Sequence, residues 1–221
     1  MQRLHRDAER LFALDEALRH EADEVLAVSG IGSILGELGY HAVGSYAMRT
    51  MVWRDLDFEL EAEPDWDVFW STCSRFAATG WCIRLQCTNV YRENWADAGL
   101  YCGMRVAAPD CGKPTPNGDA EVWKFDVWTA RAAEFEEQAG ERRRLWQSLL
   151  TDEARSYILA IKQAIWQDPN YGKTLISVHV YEAVMEQGIR DLDSFYKWWR
   201  ETYGPGSEAR ALRSSRPASG Q

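Results

Sequence analysis

The stretch HAVGSYAMRTMVWRDLDFELEAE, residues 41–63, decides how the rest of the chain is read. From Asp55 onward it alternates: Leu56, Phe58 and Leu60 fall on one side, and Asp55, Asp57, Glu59 and Glu61 on the other. Period-two alternation predicts a half-buried strand, with Asp55 and Asp57 side by side on its polar face. Like charges held that close repel one another. A divalent cation is the simplest way to make such a pair favourable. The plainer reading is a strand edge blunted with acids against aggregation.

Working upstream, Leu4, Ala8, Leu11, Leu14, Leu18, Ala22 and Val25 recur at helical spacing and predict a long first helix. The Gly30–Gly39 region interrupts it and leads into a short strand near Tyr40–Val43, then a turn or short helix after Ser45. Downstream, Pro64 stops the acidic strand. The segment after it carries Trp66, Phe69, Trp70, Cys73, Phe76 and Ala77 on one helical stripe, expected to face the core. Three strand-like runs follow, at 82–91, 100–107 and 121–128. A loop rich in Pro, Gly and Asn separates the last two. Helices are expected near 131–149, 152–167, 177–187 and 192–203, with Thr151 as an N-cap and Asp152 and Glu153 in a first turn. The expected organisation is α+β. Residues 1–130 form a mixed or antiparallel sheet with flanking helices, 131–203 a C-terminal helical module, and 204–221 a flexible tail.

The run 121–128, EVWKFDVW, places Trp123, Phe125 and Val127 on one face and Lys124, Asp126 and Trp128 on the other. Taken alone, Asp126 reads as a surface or edge aspartate. Beside the Asp55/Asp57 strand it completes a three-carboxylate set, and hard oxygen ligands of that kind suit Mg²⁺. Two ions sharing carboxylates would suit phosphoryl displacement equally. Gly44-Ser45 supplies a second half. A glycine at a strand end lets backbone approach a phosphate, and the next N–H and hydroxyl can donate to it. A lone Gly-Ser pair is usually an ordinary turn. Nine residues separate this one from an Asp-Leu-Asp on an alternating strand, which is more specific.

Val43-Gly44-Ser45 and Asp55-Leu56-Asp57-Phe58, with Asp126 as a later carboxylate, resemble the pattern of the nucleotidyltransferase superfamily. That superfamily includes DNA polymerase β, the aminoglycoside and lincosamide nucleotidyltransferases and the minimal nucleotidyltransferases of toxin–antitoxin systems. The resemblance implies Mg²⁺ on Asp55, Asp57 and Asp126, and a nucleoside triphosphate, ATP first, with its phosphates near Gly44 and Ser45. It further implies transfer of a nucleoside monophosphate to a hydroxyl. The helical region after residue 130 looks like the acceptor-side domain of the antibiotic-modifying members, which implies antibiotic resistance, with a biosynthetic or modifying role equally open and no motif matched to one substrate class. Ala47-Met48-Arg49-Thr50 and Trp53-Arg54 depart from the commonest wording of the motif, which leaves subfamily and donor open.

Around this set, Arg49 and Arg54 are each either phosphate ligands or solvated cations, and Lys124 either balances the acids, reaches a triphosphate oxygen or forms a plain salt bridge to an acidic neighbour. Glu59, one pleat past Asp57, is either a base for the acceptor hydroxyl or the wet end of its strand. Trp53 and Trp128 lie on or beside the carboxylate face and are candidates to stack on a base. Trp66, Trp70, Trp123, Trp146 and Trp166 are expected in the core.

The formal charge of -9, from 34 acidic and 25 basic residues, disfavours an extended nucleic-acid surface and suits a small hydroxylated, cationic acceptor. A protein or RNA hydroxyl is the alternative acceptor, and a non-catalytic nucleotide-binding or structural module the alternative class. No apolar run is long enough for a membrane span. Charges throughout the first dozen residues predict no export signal. Five cysteines without a CxxC pair read best as reduced thiols in a cytoplasmic protein rather than as a closed zinc site.

Overall fold

The computed structural model describes residues 2–92, 99–109, 121–135 and 141–204, and of residues 2–6 and 141 only the backbone. The chain divides into two compact units, Leu14–Glu141 and Met1–Ala13 with Arg142–Gln221.

The first unit is built on five strands: β1 (His41–Val43), β2 (Asp55–Glu61), β3 (Cys82–Asn89), β4 (Leu100–Ala107) and β5 (Val122–Ala130), in the order β1-β2-β5-β4-β3. β2 and β5 run parallel, and every other neighbouring pair is antiparallel, so the sheet is mixed. Alternation gives the sheet two unlike faces. Leu56, Phe58, Met104, Trp123, Phe125 and Val127 turn toward one side and are buried. They pack there with Leu18, Ala22 and Val25 of α1 (Gln2–Ser29), Ile31 and Leu35 of α2 (Ile31–Leu38), and Phe69, Cys73 and Phe76 of α4 (Trp66–Ala78). Each large apolar side chain removed from water contributes about 1.5–3 kcal/mol. The opposite face is the polar one, and α3 (Gly44–Ala47) lies at its edge between β1 and β2.

The run expected as a strand over 82–91 ends at Asn89 and closes in a 3₁₀ turn, Val90–Arg92, whereas the run expected to end at Trp128 continues to Ala130. α4 differs from expectation in its buried stripe, which is Phe69, Thr72, Cys73 and Phe76. Trp66 and Trp70 are 38% and 54% exposed and stack on each other at 6.2 Å. They share the helical period with Phe69 and Cys73 but flank the stripe rather than centre on it. Of the other tryptophans expected inside, Trp123 and Trp146 are buried and Trp166 is half-buried.

α5 (Ala132–Phe135) also belongs to the first unit. The second contains α6 (Glu141–Leu149) from Arg142 on, α7 (Asp152–Ile165), α8 (Ser177–Met185) and α9 (Leu192–Tyr203). Thr151 caps α7 by accepting from the Ala154 N–H at 3.1 Å, with Asp152 and Glu153 in the first turn. Arg142 pairs with Glu182 and Glu186, and Trp146 packs against Tyr181. Lys162 is fully buried, its ammonium 3.4 Å from the Tyr181 hydroxyl. The expected tail after Gly204 and the expected loop over 110–120 lie outside the described residues, as do residues 136–140 of the helix expected over 131–149. Among the described residues no helix is long and apolar enough to cross a membrane.

Candidate metal and nucleotide site

The site follows from the register of one parallel strand pair. Asp57 of β2 stands beside Asp126 of β5, and Asp55 stands beside Lys124. In-register parallel strands direct paired side chains to the same face, so the alternation in each strand brings all four residues together on the polar side. Carboxylate oxygens of Asp55, Asp57 and Asp126 lie within 4.8 Å of one another, and all three residues are half-buried. Three anions at that spacing require a positive charge. The Lys124 ammonium stands among them, donating to Asp55 Oδ1 at 3.0 Å and to Asp126 Oδ2 at 2.6 Å. Burial pulls the pKa of Lys124 down, but Asp55 and Asp126, with Asp57 behind them, outweigh it and hold the ammonium well above the ordinary lysine range.

Two residues of β4 complete this face, and neither was singled out from sequence. The Tyr101 hydroxyl donates to Asp126 Oδ1 at 2.8 Å. Burial and the Asp126 carboxylate keep that phenol protonated far into the alkaline range. Its ring also packs against Trp128, centroids 4.7 Å apart, so Trp128 lies on the carboxylate face against a protein ring. Gly103 stands opposite Asp126, and a Cβ there would occupy the space of the Tyr101 phenol. The signal for both lay in register, which no local pattern in β4 announces.

Gly44 and Ser45 sit where β1 gives way to α3. Gly44 has φ +62°, and a Cβ at this position would collide with the Asp57 carboxylate. Glycine is therefore required twice over, for its backbone conformation and for contact with the acidic strand. Ser45 is buried, and its carbonyl accepts from the Thr50 N–H at 2.9 Å, closing the turn that returns the chain toward β2. Arg49 lies in that turn, exposed, at φ +55°, an unusual conformation for a side-chain-bearing residue. Trp53 is half-buried just before β2.

Of the other residues expected in the site, Arg54 is committed to Glu21 of α1, with Nε–Oε1 at 2.6 Å and Nη2–Oε2 at 3.1 Å, and to Glu121. The Trp123 indole donates to the same Glu21 at 2.8 Å. Arg54 thus ties the start of β2 to α1. Glu59 is buried one pleat beyond Asp57, between His41 of β1 and Trp128 of β5, and is not a member of the converging set.

Three carboxylates within 4.8 Å of one another are a donor set whose chemistry fits a hard cation. The oxygens converge, and the cation already among them is the side chain's own ammonium.

Neither family models nor curated proteins give a match to this sequence. Solved structures do resemble the fold. One is Cid1 poly(U) polymerase with MgGTP bound, in crystal structures bearing on its UTP selectivity. It has a TM-score of 0.50 and 12% identity, over 80% of this chain and 54% of that one. A second structure, concerned with the RNA terminal uridylyl transferase activity of Cid1, gives a TM-score of 0.51 and 12% identity over 86% of this chain and 54% of that one. This chain therefore spans about half the length of the structures it resembles. The mixed sheet, its flanking helices and the helical C-terminal part constitute the nucleotidyltransferase fold.

Proposed function

We propose that the protein is a Mg²⁺-dependent nucleotidyltransferase. The observation that carries this reading is the convergence of Asp55, Asp57 and Asp126 around an ammonium, on a sheet of that fold. The three carboxylates would hold the metal, which when bound supplies charge neutralisation at a triphosphate and acidifies an attacking hydroxyl. Lys124 then turns from counterion to phosphate ligand, its charge staying on the face where the donor lies. Gly44, free of a side chain, keeps Asp57 unobstructed, and Ser45 would offer its N–H and hydroxyl to a triphosphate oxygen. Tyr101 fixes one oxygen of Asp126 and leaves the other for metal.

The donor is a nucleoside triphosphate, with ATP the first to test and UTP the second, given the selectivity of Cid1. For the acceptor, the charge of -9 favours a small hydroxylated cation, such as an aminoglycoside-like sugar. The second reading is an RNA 3′-hydroxyl, and the likeness to an RNA terminal uridylyl transferase favours it.

Each of the four triphosphates, labelled at the α-phosphate, would be offered with Mg²⁺ to a cationic aminosugar and to a short RNA. Label should pass to one of them. Asp57→Asn and Asp126→Asn should keep the fold by circular dichroism and lose transfer by at least about a hundredfold. Transfer near the wild-type rate in either variant would remove the carboxylate site from the chemistry.

A further inference from the structure

The helix-covered face of the same sheet carries a second cluster of ligand atoms. Cys87 of β3 and Cys102 of β4 are register partners across an antiparallel pair. Cys73 of α4 comes down onto them from the helix layer, and the three sulfurs lie within 4.8 Å of one another. All three are free thiols. Cys73 and Cys102 are 1% and 0% exposed, whereas Cys87 is half-buried. Zn–S bonds of about 2.3 Å in a tetrahedral centre set sulfurs about 3.8 Å apart, a spacing that sulfurs already within 4.8 Å of one another can reach by small side-chain shifts. The chain positions of the three follow no metal-site spacing, which is why the sequence reads as reduced thiols rather than a zinc site. Register and packing, not spacing, assemble them.

We propose that Cys73, Cys87 and Cys102 form a trithiolate site for one soft d¹⁰ cation of the zinc class, with its fourth ligand supplied from solvent. Thiolate sulfur selects such ions over Mg²⁺, just as the carboxylate oxygens on the other face select the reverse. Binding releases the thiol protons to solvent, and the sulfurs keep their oxidation state. Cys102 lies between Tyr101 and Gly103, the two residues of β4 that line the carboxylate face. An ion at the sulfurs therefore braces the strand that holds Asp126 in place. This inference does not depend on nucleotidyl transfer, since its readout is metal–sulfur spectroscopy.

The full chain, reduced and then stripped with a chelator, would be titrated with Cd²⁺ while the ultraviolet sulfur-to-cadmium charge-transfer band is followed. A band saturating at one equivalent and displaced by Zn²⁺ is expected. Cys87→Ala, at the least buried of the three, should fold and bind Cd²⁺ at least about tenfold more weakly. Cys73→Ser, checked for folding by circular dichroism, should do the same, while Cys82→Ser should leave the band in place. The inference is overturned by a folded reduced protein that gives no band, by a band indifferent to Cys87→Ala, or by Cys87 and Cys102 being found joined as a disulfide in reducing buffer.

Discussion

Gly44 shows how much of the candidate site turns on one missing methyl group. Its φ of +62° costs a residue with a Cβ about 1–2 kcal/mol, and the added carbon would run into the Asp57 carboxylate. Gly44→Ala is therefore expected to lower the urea-measured unfolding free energy by at least about 1–2 kcal/mol. It should also weaken Mg²⁺ binding, because Asp57 must turn away from Asp55 and Asp126. A variant destabilised to that extent but with Mg²⁺ affinity unchanged would separate the glycine from the metal site. At this scale the sequence was informative where chemistry is local. Alternation alone put Asp55, Asp57 and Asp126 on polar faces. Arg54 shows the converse: nothing in its neighbourhood foretold Glu21, which lies 33 positions away and claims its guanidinium.

Between elements, the joint that can be tested by pH is Tyr40 with Thr129. The phenol, just ahead of β1, lies 2.6 Å from Thr129 Oγ1 on β5. Burial raises its pKa from 10.0 to about 12, although the Thr129 hydrogen bond works in the other direction. The folded chain thus holds this proton more tightly than the unfolded chain does. The corresponding stability is fully present below pH 10 and is lost as pH rises to about 12. Unfolding free energy should fall by about 2–3 kcal/mol more in the wild type than in Tyr40→Phe over that window. Tyr46 is raised to about 12 as well and titrates in both proteins, so the difference between them is the quantity to measure. Equal slopes would mean that Tyr40 ionises without strain. Strands and helices were largely readable from period and caps, as Thr151 and α7 show. Which strands would pair was not, since the β2–β5 register depends on a long crossover that no local pattern encodes. Tyr101 remained hidden for the same reason.

Taken whole, the molecule carries a field set by its charge of -9. Such a field would attract a small cation from a distance and repel RNA, and salt screens both effects over about 8–10 Å at ordinary ionic strength. For a small cation, the acceptor KM should rise several-fold from low to moderate salt, with the triphosphate KM measured separately. For RNA, the long-range repulsion relaxes and KM should stay level or fall. A KM for RNA that climbs steeply with salt would mean that local basic contacts outweigh the net field. Composition disclosed the sign of this field from the start. Pattern placed a helical module after residue 130, but it gave no sign that residues 1–13 group with that module, because the helix beginning at Gln2 reads as one uninterrupted stripe across the boundary.

The parallel pairing of β2 with β5 also fixes an order of events during synthesis. Lys124 and Asp55 are 69 positions apart, and bringing such distant segments together costs about 4 kcal/mol of chain entropy before any contact offsets it. A growing polypeptide that has emerged only through β2 exposes Asp55 and Asp57 with neither the ammonium nor the third carboxylate. The two strands cannot close on each other until the last strand of the sheet has left the ribosome. Contacts this remote slow folding. The three-carboxylate cluster thus arrives with the completed sheet, and a transcript truncated before β5 encodes the motif without the cluster.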